Sequence, residues 1–208
     1  MDDATRKASY RLAEQMRRII ARLAVVRPPA DELERAADAA AAFADRLDQL
    51  PERTRSWEIS GAGLLPRDFV AFSPVSGRSN PMSPPVRLHV EEGEEGQVVI
   101  AGEVTFGPAY EGPPGHCHGG WVAAMFDEAL GFAQLAPGFT AYLHVNYRRP
   151  TPLNTKLDIK AWVDNVDGRK RLVKGECTHD GVLLSDAEGL FIAPRDDDDY
   201  LARLGRSS

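Results

Sequence analysis

The chain has 208 residues, 31 acidic against 25 basic side chains, a net charge of −6 and two cysteines. That length carries one good core and an appendage, and the charge balance, with no basic face interleaved with aromatics, excludes an electrostatic footprint for nucleic acid. The polar start MDDATRK and the lack of an apolar run long enough for a bilayer predict neither a secretory signal nor a membrane span, and two cysteines are no disulfide framework, so a reducing, cytoplasmic setting is expected.

Leu12, Met16, Ile19, Ile20 and Leu23 recur at helical spacing until Pro28-Pro29 ends the pattern, predicting a first amphipathic helix. Asp31 with Glu34 marks the next helix start, and Leu33, Ala37, Ala40, Phe43, Leu47 and Leu50 form one stripe down to Pro51. Residues 1–51 therefore read as a helical hairpin that packs on the rest of the chain or on a partner subunit. Its polar faces mix acid with base, which argues against a membrane surface. Residues 52–85, including FSPVSGRSNPMSPP, are denied regular structure by their prolines and read as an ordered connecting loop that packs on something.

Alternation begins at residue 86. Val86, Leu88 and Val90 form one strand, the acidic turn EEGEEG follows, and Val98, Ile100, Gly102, Val104 and Phe106 form a second. Then HGGWVAAMFDEALGFAQLA, residues 118–136, is apolar on nearly every side, interrupted only by Asp127, Glu128 and Gln134. Such a stretch predicts the core helix of a domain, in which a carboxylate is costly unless hydrogen-bonded or employed. Strand patterns resume at Leu143-Val145-Tyr147 and Leu157-Ile159-Ala161-Val163, then from Arg171 to Thr178 and Val182 to Ala193, the last two joined by the hairpin signal Asp180-Gly181. Residues 196–208 read as an acidic, frayed tail without chemistry. Two strands, one buried helix and four more strands make an α+β plan in which a curved antiparallel sheet wraps around the helix.

The order of these elements carries a resemblance. GPPGHCHGG at 112–120, the acid within WVAAMFDEALG at 121–131, TAYLHVNYRRPTPL at 140–153, VDGRKRLVKGE at 166–176 and SDAEGLFI at 185–192 resemble the hotdog-fold acyl-CoA thioesterases. The similarity points to the branch of phenylacetate-pathway thioesterases and mammalian thioesterase superfamily members. It implies a hotdog domain over 86–195, hydrolysis of an acyl-CoA in fatty-acid metabolism, no cofactor, and a homodimer or dimer of dimers. The helical hairpin and the proline-rich loop lie outside the specific match.

Thioester hydrolysis needs a base or nucleophile near the carbonyl carbon and donors where charge develops on its oxygen. Gly119 and Gly120, at a helix start with unpaired backbone N–H groups, are the oxyanion-hole candidates, although two glycines also serve a tight loop-to-helix turn. Asp127 lies nine residues beyond His118, roughly 13 Å along a helix axis, so one carbonyl cannot reach both ends of one helix. Two antiparallel helices across a two-fold axis would bring each Asp127 near the other chain's glycines. The resemblance implies the same sharing between subunits. Burial is expected to raise the pKa of Asp127, as a base needs, while direct attack through an anhydride stays open.

Glu128 is the rival acid, read instead as a helix-edge carboxylate paired with a neighbouring base. His118 either hydrogen-bonds near the carbonyl or caps the helix. The resemblance makes Thr140 a hydroxyl that holds the water or the aspartate, makes Asn146, Arg148 and Arg149 partners for coenzyme A, and puts an asparagine near the position that Gly112 occupies here. Trp121 and Phe126 are candidates for an acyl pocket. His116, Cys117 and His118 are consecutive and cannot converge on one ion, so no metal site is expected. A non-catalytic acyl-CoA-binding or interaction protein is the alternative, and a dehydratase is disfavoured by the glycines after His118.

Overall fold

A computed structural model describes residues 2–52, 70–93 and 97–195. The end of the acidic turn, the first part of the proline-rich loop and the tail lie outside the described residues. Helix α1 spans Asp3–Leu23 and α2 spans Ala30–Asp48. Asp2 starts α1 by accepting the Thr5 N–H at 2.7 Å, satisfying one of the four donors that a helix start leaves open. Pro29 precedes α2 in extended conformation, with Asp31 and Glu32 in the first turn and Arg46 in the last, as the helix dipole favours.

The strands are β1 Arg87–Glu92, β2 Val98–Thr105, β3 Phe139–Tyr147, β4 Lys156–Asp167, β5 Lys170–His179 and β6 Val182–Ile192, with the helix α3 Gly119–Ala133 between β2 and β3. They pair antiparallel in the order β1-β2-β4-β5-β6-β3. The chain therefore leaves the sheet after β2, crosses it as α3 and re-enters at the opposite edge. Asp180 and Gly181 both take positive φ, 48° and 76°, the turn geometry that lets two residues join β5 to β6.

Alternation sets the inner face. Ile100 opposite Ala161, Val104 opposite Leu157 and Gly175 opposite Ala187 all point to α3, whose Val122, Met125, Phe126, Ala129, Leu130 and Ala133 are buried. Gly175 and Gly189 make a notch for Leu130: a Cβ on either would come within 2.8 and 3.1 Å of its methyls. The helix reaches β2, β3, β4, β5 and β6, which a curved sheet permits. This is the hotdog arrangement.

The described part of the loop is ordered, as its length demanded. Ser73, Ser76, Ser79 and Ser83 are buried, and Ser83 Oγ donates to the Val75 carbonyl at 2.7 Å. Helix α1 docks on this loop through Ala13, a Ser9–Ser79 hydroxyl contact of 2.8 Å and the Arg17 guanidinium, which donates to the Asn80 carbonyl at 2.8 Å. The two N-terminal helices stand where the sequence places them, but their apolar faces do not pack as expected. Leu12, Ile19 and Leu23 stay exposed because α1 docks through the Ser9–Ala13–Arg17 face, and α2 buries no residue.

Candidate active site

The start of α3 is held from three sides. His118 is its N-cap, with Nδ1 accepting the Gly120 N–H at 3.0 Å. That bond leaves the imidazole proton on Nε2. The His118 N–H donates to the Tyr110 carbonyl at 2.8 Å, and the Tyr147 hydroxyl donates to the Gly119 carbonyl at 2.9 Å. The Gly119 N–H has no acceptor among the described residues. The two glycines are thus unequal: one donor serves the cap and the other is open.

Gly112 packs directly against His118, where a Cβ would meet the His118 Cα at 2.7 Å. An asparagine there would displace the cap, which accounts for glycine at that position. Cys117 is buried, and burial pushes its thiol up to about 12, so it stays protonated and unreactive; Cys177 is raised likewise, to about 12. His116 Nδ1 contacts the Pro114 carbonyl at 2.9 Å while His118 Nδ1 takes the Gly120 N–H, so the neighbouring rings serve separate partners.

Asp127 is exposed in the single chain, not buried. Its position falls on the flank of α3 beside β3, off the stripe of core residues. A register shift between Thr140 and Tyr142 turns Thr140 to the inner face, opposite Phe191, and its hydroxyl donates to Asp127 Oδ1 at 2.8 Å. The second carboxylate oxygen has no protein donor among the described residues. Glu128, one position on, points to the other flank. Its Oε1 accepts the Ser73 hydroxyl at 2.6 Å and also the Ser76 hydroxyl, so its partners are two loop serines and not the base that the sequence reading assigned it.

Phe126 is fully buried in the core. Trp121 stacks edge-on against Tyr110 with centroids 4.9 Å apart and lines a cleft of about 670 Å³ between α1, the prolines at 81–85 and the end of β2. At 100° per residue it lies about 120° around α3 from Asp127.

Asn146 and Arg148 face the outer side of the sheet, away from α3. Asn146 donates to Asp186 Oδ1 at 2.8 Å, and Arg148 pairs with Asp186 Oδ2, which holds that carboxyl below its ordinary range. Arg149 anchors its backbone N–H on the Leu184 carbonyl at 2.9 Å, and its side chain is without an ion-pair partner among the described residues. The structure thus brings together Asp127 with Thr140, and His118 with both glycines, while Asn146 and Arg148 stand apart from both groups. Two contributors were missed from sequence. Tyr147 was detectable, since it continues the Leu143-Val145 alternation onto the α3 side. Asp186 was not, since its cross-strand position opposite Asn146 depends on pairing register.

A helix with an open N-terminal donor, a hydroxyl-held carboxylate two turns on and a sheet wrapped around both define a hotdog domain of thioesterase type. The family model of the thioesterase superfamily matches residues 114–181. The crystal structure of a thioesterase superfamily protein superposes with a TM-score of 0.74 at 34% identity, covering 88% of this chain and 90% of that one. The chain belongs to the thioesterase superfamily. Among curated proteins, acyl-coenzyme A thioesterase THEM4 of Bos taurus is 39% identical over 41% of this chain and 37% of its own length. THEM4 of Xenopus laevis is 40% identical over 41% of each chain. The chain therefore spans about two fifths of the curated relatives it matches. Among the described residues no helix is long and apolar enough to cross a membrane.

Proposed function

We propose that the protein hydrolyses an acyl-CoA thioester to the free acid and coenzyme A, at a site shared by two copies of the chain in a cytoplasmic setting. The observation that carries this reading is the Asp127 carboxylate, exposed on α3, held through one oxygen by Thr140 and open at the other. As a general base, Asp127 takes a proton from water while the water oxygen adds to the thioester carbon. The C–S bond then breaks and the CoA sulfur leaves as thiolate, collecting a proton to become the thiol. As a nucleophile, the same carboxylate would form an anhydride that water opens in a second step. Either path puts negative charge on the carbonyl oxygen, and the open Gly119 N–H at the positive end of α3 is the donor suited to receive it.

Gly119 and Asp127 are eight residues apart on one helix, about 12 Å along the axis. One carbonyl cannot use both, so the acid of one copy would serve the donor of the other. β3 is an edge strand of the sheet, and its free side offers a ladder along which a second copy continues it. A homodimer or a dimer of dimers follows. Arg149, near the end of β3 and without an ion-pair partner among the described residues, suits the phosphates of coenzyme A; Asn146 and Arg148 would join it after exchanging Asp186 for the ligand.

The test is thiol release from an acyl-CoA panel, acetyl to palmitoyl with one aryl member, by wild type and Asp127→Asn. Hydrolysis of some member with a loss of roughly 10²–10⁴-fold in the variant is expected. A wild type that binds the panel without turnover would make the protein a non-catalytic binder. Activity that survives Asp127→Asn would remove Asp127 from the mechanism.

A further inference from the structure

The first turn of α3 begins with two glycines, the residues with the most backbone freedom to lose, yet an oxyanion donor works best when it is in place before charge develops. What holds this turn comes from the end of β3. The segment that leaves β3 runs back along the entrance to α3. The Thr151 carbonyl accepts the Cys117 N–H at 2.8 Å, the Gly115 carbonyl accepts the Leu153 N–H at 3.2 Å, and His116 and Pro152 pair as an isolated antiparallel bridge. That segment is itself pinned: the Arg148 and Arg149 N–H groups both donate to the Leu184 carbonyl at 2.9 Å, and Tyr147 pairs in register with the buried Ser185. Tyr147 adds a tie made by its side chain. Its hydroxyl donates to the Gly119 carbonyl at 2.9 Å, and its ring lies 3.4 Å from where a Cβ on Gly119 would stand.

We infer that Tyr147 is a positioning residue: through the Gly119 carbonyl it fixes the first turn of α3, and with it the direction of the open Gly119 N–H, without touching the substrate. The peptide between His118 and Gly119 carries that donor. On one side of it the His118 N–H is held by the Tyr110 carbonyl at 2.8 Å, and on the other the Gly119 carbonyl is held by Tyr147, so the peptide has little room to turn. Partial burial lifts the Tyr147 pKa above its ordinary value, which keeps the hydroxyl protonated and a donor at neutral and mildly alkaline pH. β3 thereby holds both parts of the site: Thr140 near its start takes Asp127, and Tyr147 at its end takes Gly119. Small misplacements of a catalytic group are costly, and one pinned strand limits them for the acid and the donor together. The role in turnover rests on the thioester hydrolysis proposed above; the tie to Gly119 does not.

The test is Tyr147→Phe, which keeps the ring and removes the hydroxyl, made in the full wild-type chain and again in Gly119→Pro, where the donor is already gone. In the wild-type background kcat for thiol release should fall about 3–10-fold, as one neutral hydrogen bond allows, with KM within about twofold. In Gly119→Pro the same substitution should cost less than about twofold, because no donor is left to position. Amide hydrogen exchange followed by NMR adds a readout that needs no turnover. In Tyr147→Phe the Gly120 N–H, held by the His118 cap, should exchange about 3–10-fold faster, while the amides of β4 and β5 keep their wild-type rates. A loss as large in Gly119→Pro as in wild type would mean that the hydroxyl acts on the substrate itself and would overturn the inference. Unchanged kcat in the wild-type background would overturn it too. If wild type turns over no thioester, the thioesterase reading falls, and Gly120 exchange alone decides: faster exchange upholds the tie, and an unchanged rate overturns it.

Discussion

Replacing Gly119 by proline removes one hydrogen-bond donor from the first turn of α3 and little else. Gly119 is the first helical residue, where proline is well tolerated, since its N–H has no partner within the helix. His118 already has φ −63° and ψ 131°, the conformation a following proline requires. The added Cβ would sit 3.4 Å from the Tyr147 ring, an ordinary contact. The variant should therefore fold with a melting temperature within about 2–4 °C of wild type, corresponding to no more than about 1 kcal/mol at this size. If the Gly119 N–H receives the developing oxyanion, kcat should fall by about 10²–10³, or roughly 2.7–4 kcal/mol of transition-state stabilisation. The assay is initial-rate thiol release on the best substrate of the panel, beside a thermal melt. A variant that melts like wild type and keeps its kcat would refute the assignment and shift attention to Gly120, whose donor the His118 cap now occupies.

Glu128→Ala should behave in the opposite way. It strands the Ser73 and Ser76 hydroxyls; a hydrogen bond to a charged acceptor is worth about 1.5–3 kcal/mol where fully buried and about 1–2 kcal/mol to the half-buried Glu128, so a loss of about 2–4 kcal/mol is expected in urea unfolding, with kcat within about twofold of wild type in the fraction that stays folded. An inactive but fully stable variant would mean that Glu128 does chemistry. The Asp186 carboxyl is held below its ordinary pKa first by the Arg148 hydrogen bond, so its stabilisation is present above the unfolded-state value and is lost as pH falls through the lower folded value. Arg148→Ala should return the Asp186 titration, followed by NMR, toward the ordinary carboxylate range; an unchanged midpoint would remove Arg148 as the cause.

The parts of the fold legible in the sequence are those fixed by local chemistry. The alternation of β2, β4 and β5, the Asp180-Gly181 turn and the apolar run of α3 each state their geometry within about ten residues. Contacts between distant segments were not legible in the same way. Asp127 and Glu128 are adjacent in a nearly apolar helix, and the sequence reading gave burial to Asp127 and the helix edge to Glu128, whereas Asp127 is exposed and Glu128 half-buried. Only the crossing of α3 over the sheet turns one to β3 and the other to the serine loop. Ser73 and Ser76 lie more than fifty residues before Glu128, in a stretch that reads as punctuation. Asn146 and Arg148 lie on the opposite face from Thr140 because of the irregularity between Thr140 and Tyr142, and such a slip leaves no compositional trace. On α1 the apolar stripe was read correctly, but polar contacts through Ser9 and Arg17 determined which face docks.

The position of β3 at the far edge of the sheet sets a problem during synthesis. β3 is complete at Tyr147, yet β6, the strand it pairs with, does not begin until Val182. At about 5–20 residues per second, β3 emerges from the ribosome roughly 2–7 s before β6 does. Through that interval an alternating strand with Phe139, Leu143, Val145 and Tyr147 has both edges open, and α3 has no finished sheet to bury against. The newborn chain is then at its most adhesive, and slower translation across the β4–β5 hairpin would lengthen its exposure.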